Sequence, residues 1–215
     1  QIYLQTAAAN GVTAMLVAVS CKEVSGNHAT QATTANKPTV RRGAYNQLLN
    51  SVLAGGTSGV EGSGAVAPTI WTFAVATGSV TFSAGSARFI AAAQRPMIQQ
   101  AYAIPVGTFC MSARVVATDG ATMLQDCISI AASTATLVSQ QTRINGIAVV
   151  GTTLVTTGDL ISYNATCTVA GNVNMRVGIG CNGNATGDIT LSQPQLEIGS
   201  TASDYSPTTT GAASN

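Results

Sequence analysis

Along most of this chain the apolar positions recur at every second residue. In "TFCMSARVVA" (108–117) Phe109, Met111, Ala113 and Val115 fall on one face, the spacing of a half-buried strand. "DITLSQPQLEI" (188–198) alternates in the same way, with Ile189, Leu191, Gln193, Gln195 and Glu197 on one side and the remaining set on the other. Further β-rich runs are "TIWTFAVA" (69–76), "SVTFSA" (79–84), "ARFIAA" (87–92), "PMIQQAYAI" (96–104), "DCISIA" (126–131), "RINGIAVV" (143–150), "LISYNATCTV" (160–169) and "NVNMRVGIGC" (172–181). Turn-forming pairs punctuate them: Thr77-Gly78, Asp119-Gly120, Gly158-Asp159, Ala170-Gly171 and Asn182-Gly183. No stretch with helical periodicity separates the strands, which excludes βαβ units. Many short strands, each half apolar, predict an all-β fold, an antiparallel β-sandwich of two sheets packed face to face.

Two segments depart from this cadence. "GGTSGVEGSGAVAP" (55–68) reads as a Gly-rich loop over one end of the sandwich. Residues 1–44 lack the alternation; "HATQATTANKPTVRRG" has the β-branched, Pro-interrupted composition of an extended arm. The expected organisation is an N-terminal arm or attachment segment over 1–44, a sandwich over 45–207 and a flexible tail over 208–215.

Composition narrows the setting. The chain has 215 residues, enough for one generous domain, yet only 8% are charged, against about a quarter in an ordinary soluble protein. Hydroxyls and amides must solvate the surface, which suits a protein fixed beside many others in an assembly. Nine basic and eight acidic residues are scattered, leaving a formal charge of +1. Without a basic stripe, nucleic acid is not an expected partner. The apolar stretch Gly11 to Ser20 is too short for membrane insertion, and no basic segment precedes it as in a secretory leader. The first residue is Gln1 rather than methionine, as expected of a processed protein or part of a longer one.

Five cysteines, Cys21, Cys110, Cys127, Cys167 and Cys181, form no C-x-x-C pair, so no zinc site is expected. They read first as small buried hydrophobes. If 108–117 and 126–132 form a hairpin around Asp119-Gly120, Cys110 and Cys127 come into cross-strand register and are the disulfide candidates.

The chemistry on offer is sparse. His28 is the only histidine, and the contiguous "SGNH" around it is not a triad, whose members the fold must gather from separate places. The carboxylates fall mostly in turns, the position of Asx-turns rather than of an acid/base pair; a strand carboxylate such as Glu197 needs a partner if buried. "GIGCNGNATG" (178–187) precedes neither a lysine nor a helix, so it reads as a hairpin connection rather than a phosphate loop. No catalytic residue, metal site or cofactor is expected. For ligand contact the candidates are the aromatics Trp71 and Tyr163 and the isolated Arg176, although Trp71 beside Phe73 reads first as core.

Four segments, "AYNQLLNSVLAGG", "APTIWTF", "SARFIAAAQRPMIQQAYAIPVGTFCMSARV" and "GNATGDITLSQPQLEIGSTASDYSPTTT", resemble a jelly-roll module, similar to carbohydrate-binding modules, of tailed-bacteriophage head-spike, head-fibre and tail-fibre proteins. The opening phrase of that family, Asn-Leu-Leu-x-Asn-Ser, is matched by Asn46 to Ser51 with Gln47 inserted, and its closing phrase by Pro194 to Thr208. Residues 26–38 resemble the linker or laminin-G-like edge that precedes such modules. The resemblance implies that Asn46 to Ser51 lies near Gln193 to Ile198, with 1–44 and 201–215 leaving the sandwich as arms. It further implies a non-enzymatic virion protein on the particle surface, partnered by other capsid or tail proteins, assembled as a trimer, and touching host glycan either as an accessory or as a tail-tip receptor-binding module.

Overall fold

The computed structural model describes residues 46–60, 63–74 and 78–209. The chain divides into two units, Gln1–Arg42 and Gly43–Asn215, and the sandwich lies in the second. The predicted arm over 1–44, His28 and Cys21 lie outside the described residues, as does the tail beyond Thr209.

Twelve strands follow in order: β1 (Gly59–Val60), β2 (Thr72–Phe73), β3 (Ser79–Ser83), β4 (Ser86–Gln94), β5 (Met97–Ile104), β6 (Gly107–Thr118), a single helical turn α1 (Leu124–Cys127), β7 (Ile128–Ala132), β8 (Thr136–Ile144), β9 (Ile147–Val149), β10 (Leu160–Val169), β11 (Gly171–Gly178) and β12 (Ala185–Ile198). An eight-stranded sheet runs β1-β3-β4-β12-β6-β10-β8-β9, and a four-stranded sheet runs β2-β5-β11-β7. Every ladder between these strands is antiparallel. The predicted antiparallel β-sandwich is therefore what forms. From β4 to β7 and again from β10 to β12, each successive strand changes sheet, the winding of a jelly roll.

The core is the space between the sheets. Phe89, Phe109, Met111, Ile161 and Ile189 enter it from the large sheet, and Ile98, Ile128, Met175 and Val177 from the small one. Each such side chain contributes about 1.5–3 kcal/mol by leaving water. The alternation read in β6 holds, since Phe109, Met111, Ala113 and Val115 are all buried.

Four expectations are corrected. Segments 108–117 and 126–132 do not form a hairpin: β6 pairs with β10 and β12, whereas β7 pairs with β11 in the other sheet. The connection crosses between layers, so Cys110 lies in the large sheet and Cys127 in α1, at the entry to the small one, and both are free thiols. The run 143–150 is not one strand. Asn145 and Gly146 have φ of 51° and 80° and turn β8 back into β9, the Asn-Gly hairpin turn whose two central residues need positive φ. In β12 the alternation breaks at Gln193, whose φ is 56° and where the register with β6 slips. That bulge turns Leu196 to the core and puts Gln195 and Glu197 on the opposite face from Ile189 and Leu191. The Gly-rich 55–68 segment contributes the short edge strand β1, paired to Ser79 and Val80.

Candidate functional site

Two clusters of polar side chains stand out: the first is bonded throughout within the chain, and the second holds Asp126, Asn182 and Asn184, whose side chains have no partner among the described residues.

The first joins the opening and closing phrases. Strand β4 leaves the flank of β12 at Ser86 opposite Ser192. Beyond that point the opening phrase takes its place, Gln47 N–H donating to the Leu196 carbonyl at 2.7 Å. The side chain of Asn46 acts there as a surrogate peptide. Its Oδ1 accepts from the N–H groups of Leu48 (3.0 Å) and Leu196 (3.1 Å), and its Nδ2 donates to the carbonyls of Pro194 and Ser206 (both 3.1 Å). The Gln100 amide, rising from β5, bonds both the N–H and the C=O of Leu49 at 2.8 Å. Thr208 closes the ring: its hydroxyl donates to Leu48 O at 2.7 Å and accepts from Ser51 N–H, while its own N–H donates to Ser51 Oγ. Asn46, Ser51 and Thr208 are all buried.

This bears out the proximity of Asn46 to Ser51 and Gln193 to Ile198. It corrects the boundary of the tail and the course of the closing arm. Residues 201–209 do not leave the sandwich: Ser203 donates to the Glu197 carboxylate, Ser206 N–H donates to Gln195 Oε1, and Thr209 O accepts from Asn50 N–H. Glu197, buried at 1% exposure, thus takes hydroxyl and backbone donors rather than a cation.

The predicted ligand contacts do not converge. Trp71 is 4% exposed, its indole N–H donating to Asn50 O at 3.1 Å, so it is core and pins the opening phrase. Tyr163 is half-buried on β10 against the core, its hydroxyl bonded to Gln140 on β8. Arg176 lies on β11 between Gln99 and Ser129, its Nε donating to Gln99 Oε1 at 3.3 Å. The three occupy the core, one flank of the large sheet and the small sheet, and form no common site. The described cysteines are buried; burial pushes the Cys110 thiol up to about 11 and the Cys181 thiol up to about 12, so neither is a nucleophile at neutral pH.

The second cluster lies where α1 meets the loop joining β11 to β12. Gln125, Asp126, Asn182, Asn184 and Thr186, with Met123 on the rim, line a groove of about 350 Å3. Its walls are fixed from behind. Gln125 N–H donates to Gly151 O at 2.8 Å, Cys181 N–H to Asp126 O at 3.1 Å and Gly183 N–H to Gly180 O at 3.1 Å. Gly180 sits at φ +83° with the Gly183 carbonyl 2.6 Å from where a Cβ would stand, so only glycine closes this turn.

The acids of this end of the sandwich contrast sharply. Asp119 accepts from Ala121 N–H (2.9 Å), the Thr122 hydroxyl (3.0 Å) and Asp188 N–H (3.0 Å). Burial alone would raise its pKa, but those donors prevail and hold it below the ordinary carboxylate value. Asp126 is half-buried with no donor and no cation on its carboxylate among the described residues, and desolvation pushes its pKa up. Sequence reading placed Asp126 in a strand and 182–186 in a bare hairpin, and so missed the groove. A missing partner leaves no signature in sequence.

No family model, curated protein or solved structure matches this chain. What the site can do must be read from its own chemistry. Among the described residues no group of three or more His, Cys, Asp and Glu side chains could hold a metal ion, and Asp159 and Asp188 are taken up by Asn145 with Thr156 and by Arg88.

Proposed function

We propose that this chain is a non-enzymatic structural protein of a tailed-phage virion, exposed on the particle as a head decoration, head fibre or tail-fibre component. Residues 1–44 and contacts with neighbouring virion proteins fasten it, and it assembles as a trimer. The observation that carries the reading is the lock between Asn46 to Ser51 and Pro194 to Thr208, because the residues that make it are the ones through which the sequence resembles virion head- and tail-fibre modules. A surface solvated by hydroxyls and amides, in a chain with 8% charged residues, supports a fixed place in a crowded assembly. The non-enzymatic part is supported by Asp119, Asp159, Asp188 and Glu197, whose oxygens are engaged by groups of the same chain rather than paired across a shared cleft.

Electron microscopy of particles labelled with antibody against this chain tests the proposal. Label on the capsid or along the tail is expected. Particles without label, or polysaccharide cleavage by the purified protein that an Asp→Asn change abolishes, would overturn it. A second reading, a tail-tip module that binds host surface carbohydrate as its main task, is favoured by the open groove beside Asp126, and label confined to the tail tip would select it.

A further inference from the structure

We infer that the groove between α1 and the 182–186 loop binds an uncharged sugar, whose hydroxyls donate to the Asp126 carboxylate and accept from the Asn182 and Asn184 amides. This deepens the second reading above, a module that binds host surface carbohydrate, and rests on it, but particle labelling and sugar titration fail separately.

The argument starts from what Asp126 lacks. A carboxylate drawn partly out of water loses hydration that only new donors replace. Among the described residues Asp119, Asp159, Asp188 and Glu197 have such donors, and Asp204 is exposed. Asp126 alone is half-buried and unserved, at the wall of a groove of about 350 Å3, a volume within the range of small-molecule sites. The backbone bonds of Gln125, Cys181 and Gly183 hold the walls, and the Thr186 hydroxyl, accepting from Ala93 N–H at 3.0 Å, and the Gln125 amide, 4.0 Å from Met123 Sδ, are tied within the chain as well. Asp126, Asn182 and Asn184 are left facing the groove with side chains that have no partner among the described residues, which is what a ligand site requires.

The lining then selects the ligand. A carboxylate accepts only, whereas the amides of Gln125, Asn182 and Asn184 both donate and accept. A ligand rich in hydroxyls, each able to do either, satisfies all of them. Met123 and Ala185 supply an apolar wall for the C–H face of a pyranose ring. Among the described residues no basic side chain lines the groove, so a uronate, sialate or phosphate would meet Asp126 with like charge and no compensation. A bound calcium ion needs six to eight oxygens with charge among them, and one carboxylate does not provide that.

The test uses the full chain at neutral pH, titrated with methyl glucopyranoside, methyl mannopyranoside, methyl galactopyranoside and methyl glucuronide, with and without EDTA, and read by backbone amide shifts. At least one neutral glycoside should move the amides of 121–126 and 182–186 and bind roughly tenfold or more tightly than the glucuronide, the size of one unfavourable charge contact. Asp126→Asn should weaken the neutral glycoside by about tenfold and erase the discrimination, since the amide no longer repels the acid. Asn184→Ala, on an exposed loop position, provides a second variant that keeps the fold and lowers affinity for both sugars. Binding should also weaken on acidification, at a higher pH than an ordinary carboxylate would give. The inference fails if no neutral glycoside shifts these amides at concentrations on the order of 10 mM. It fails equally if the glucuronide binds as well, if Asp126→Asn leaves affinity intact, or if EDTA abolishes binding.

Discussion

Asn46 and Asp126 are side chains of nearly the same size that the fold treats in opposite ways. Asn46 is fully buried and makes four hydrogen bonds, to Leu48, Leu196, Pro194 and Ser206. Asp126 is half-buried and its carboxylate makes none with the described residues. A polar group whose partners lie in its own chain is part of the architecture, and removing it strands those partners. One whose partners are missing costs the fold something to keep, and removing it should cost stability nothing. Substitutions at the two ends of the molecule should therefore separate stability from binding.

The largest effects belong to the lock. Asn46→Ala leaves the N–H groups of Leu48 and Leu196 and the carbonyls of Pro194 and Ser206 without partners, at about 3–5 kcal/mol. Trp71→Ala should cost a similar 3–5 kcal/mol by emptying a core site and removing one of the two donors to Asn50 O, and leave sugar binding unchanged. Urea unfolding measures both; a loss under about 1 kcal/mol for Asn46→Ala would mean that the opening phrase is not held by this amide. Next comes Thr208→Val, which keeps the shape but deletes the hydroxyl shared by Leu48 O and Ser51 N–H, at about 1–3 kcal/mol. An unchanged midpoint would return Thr208 to the tail that sequence reading assigned it.

What the sequence carried and what it hid follow from one distinction. Period-two patterning is local, so the faces of β6 and the extents of β5 and β10 could be read from the chain. Pairing is not local: nothing in 108–132 says that the chain changes sheet at α1, and the Cys110–Cys127 candidate depended on assuming it did not. The Asn145-Gly146 turn has its own local signature, but the apolar run that continues across it reads as one strand. The bulge at Gln193 is not legible, since glutamine, unlike asparagine, has no local preference for positive φ and is held there by tertiary context. The lock was approached through resemblance alone, and the groove could not be reached at all, because it is defined by bonds that Asp126 fails to make.

The smaller effects set Asp119 against Asp126, seven positions along, and here pH sharpens the contrast. Asp119 has a lowered pKa in the folded protein, so its contribution is present above the ordinary carboxylate range and is lost as pH falls through its own pKa. Asp119→Asn should cost about 0.5–1 kcal/mol at neutral pH, modest because the side chain is exposed and screened, with less cost in acid. Asp126 has a raised pKa, so its contribution is fully present below the ordinary carboxylate range and is lost as pH rises through the raised value. At neutral pH the charged form is the one the fold disfavours, and Asp126→Asn should leave Tm unchanged or slightly higher while sugar affinity drops. Thermal melts of both variants across the acid range decide the matter: slopes of the two differences with the same sign would mean that Asp126 has a donor after all, and the groove would lose the feature that marks it as a site.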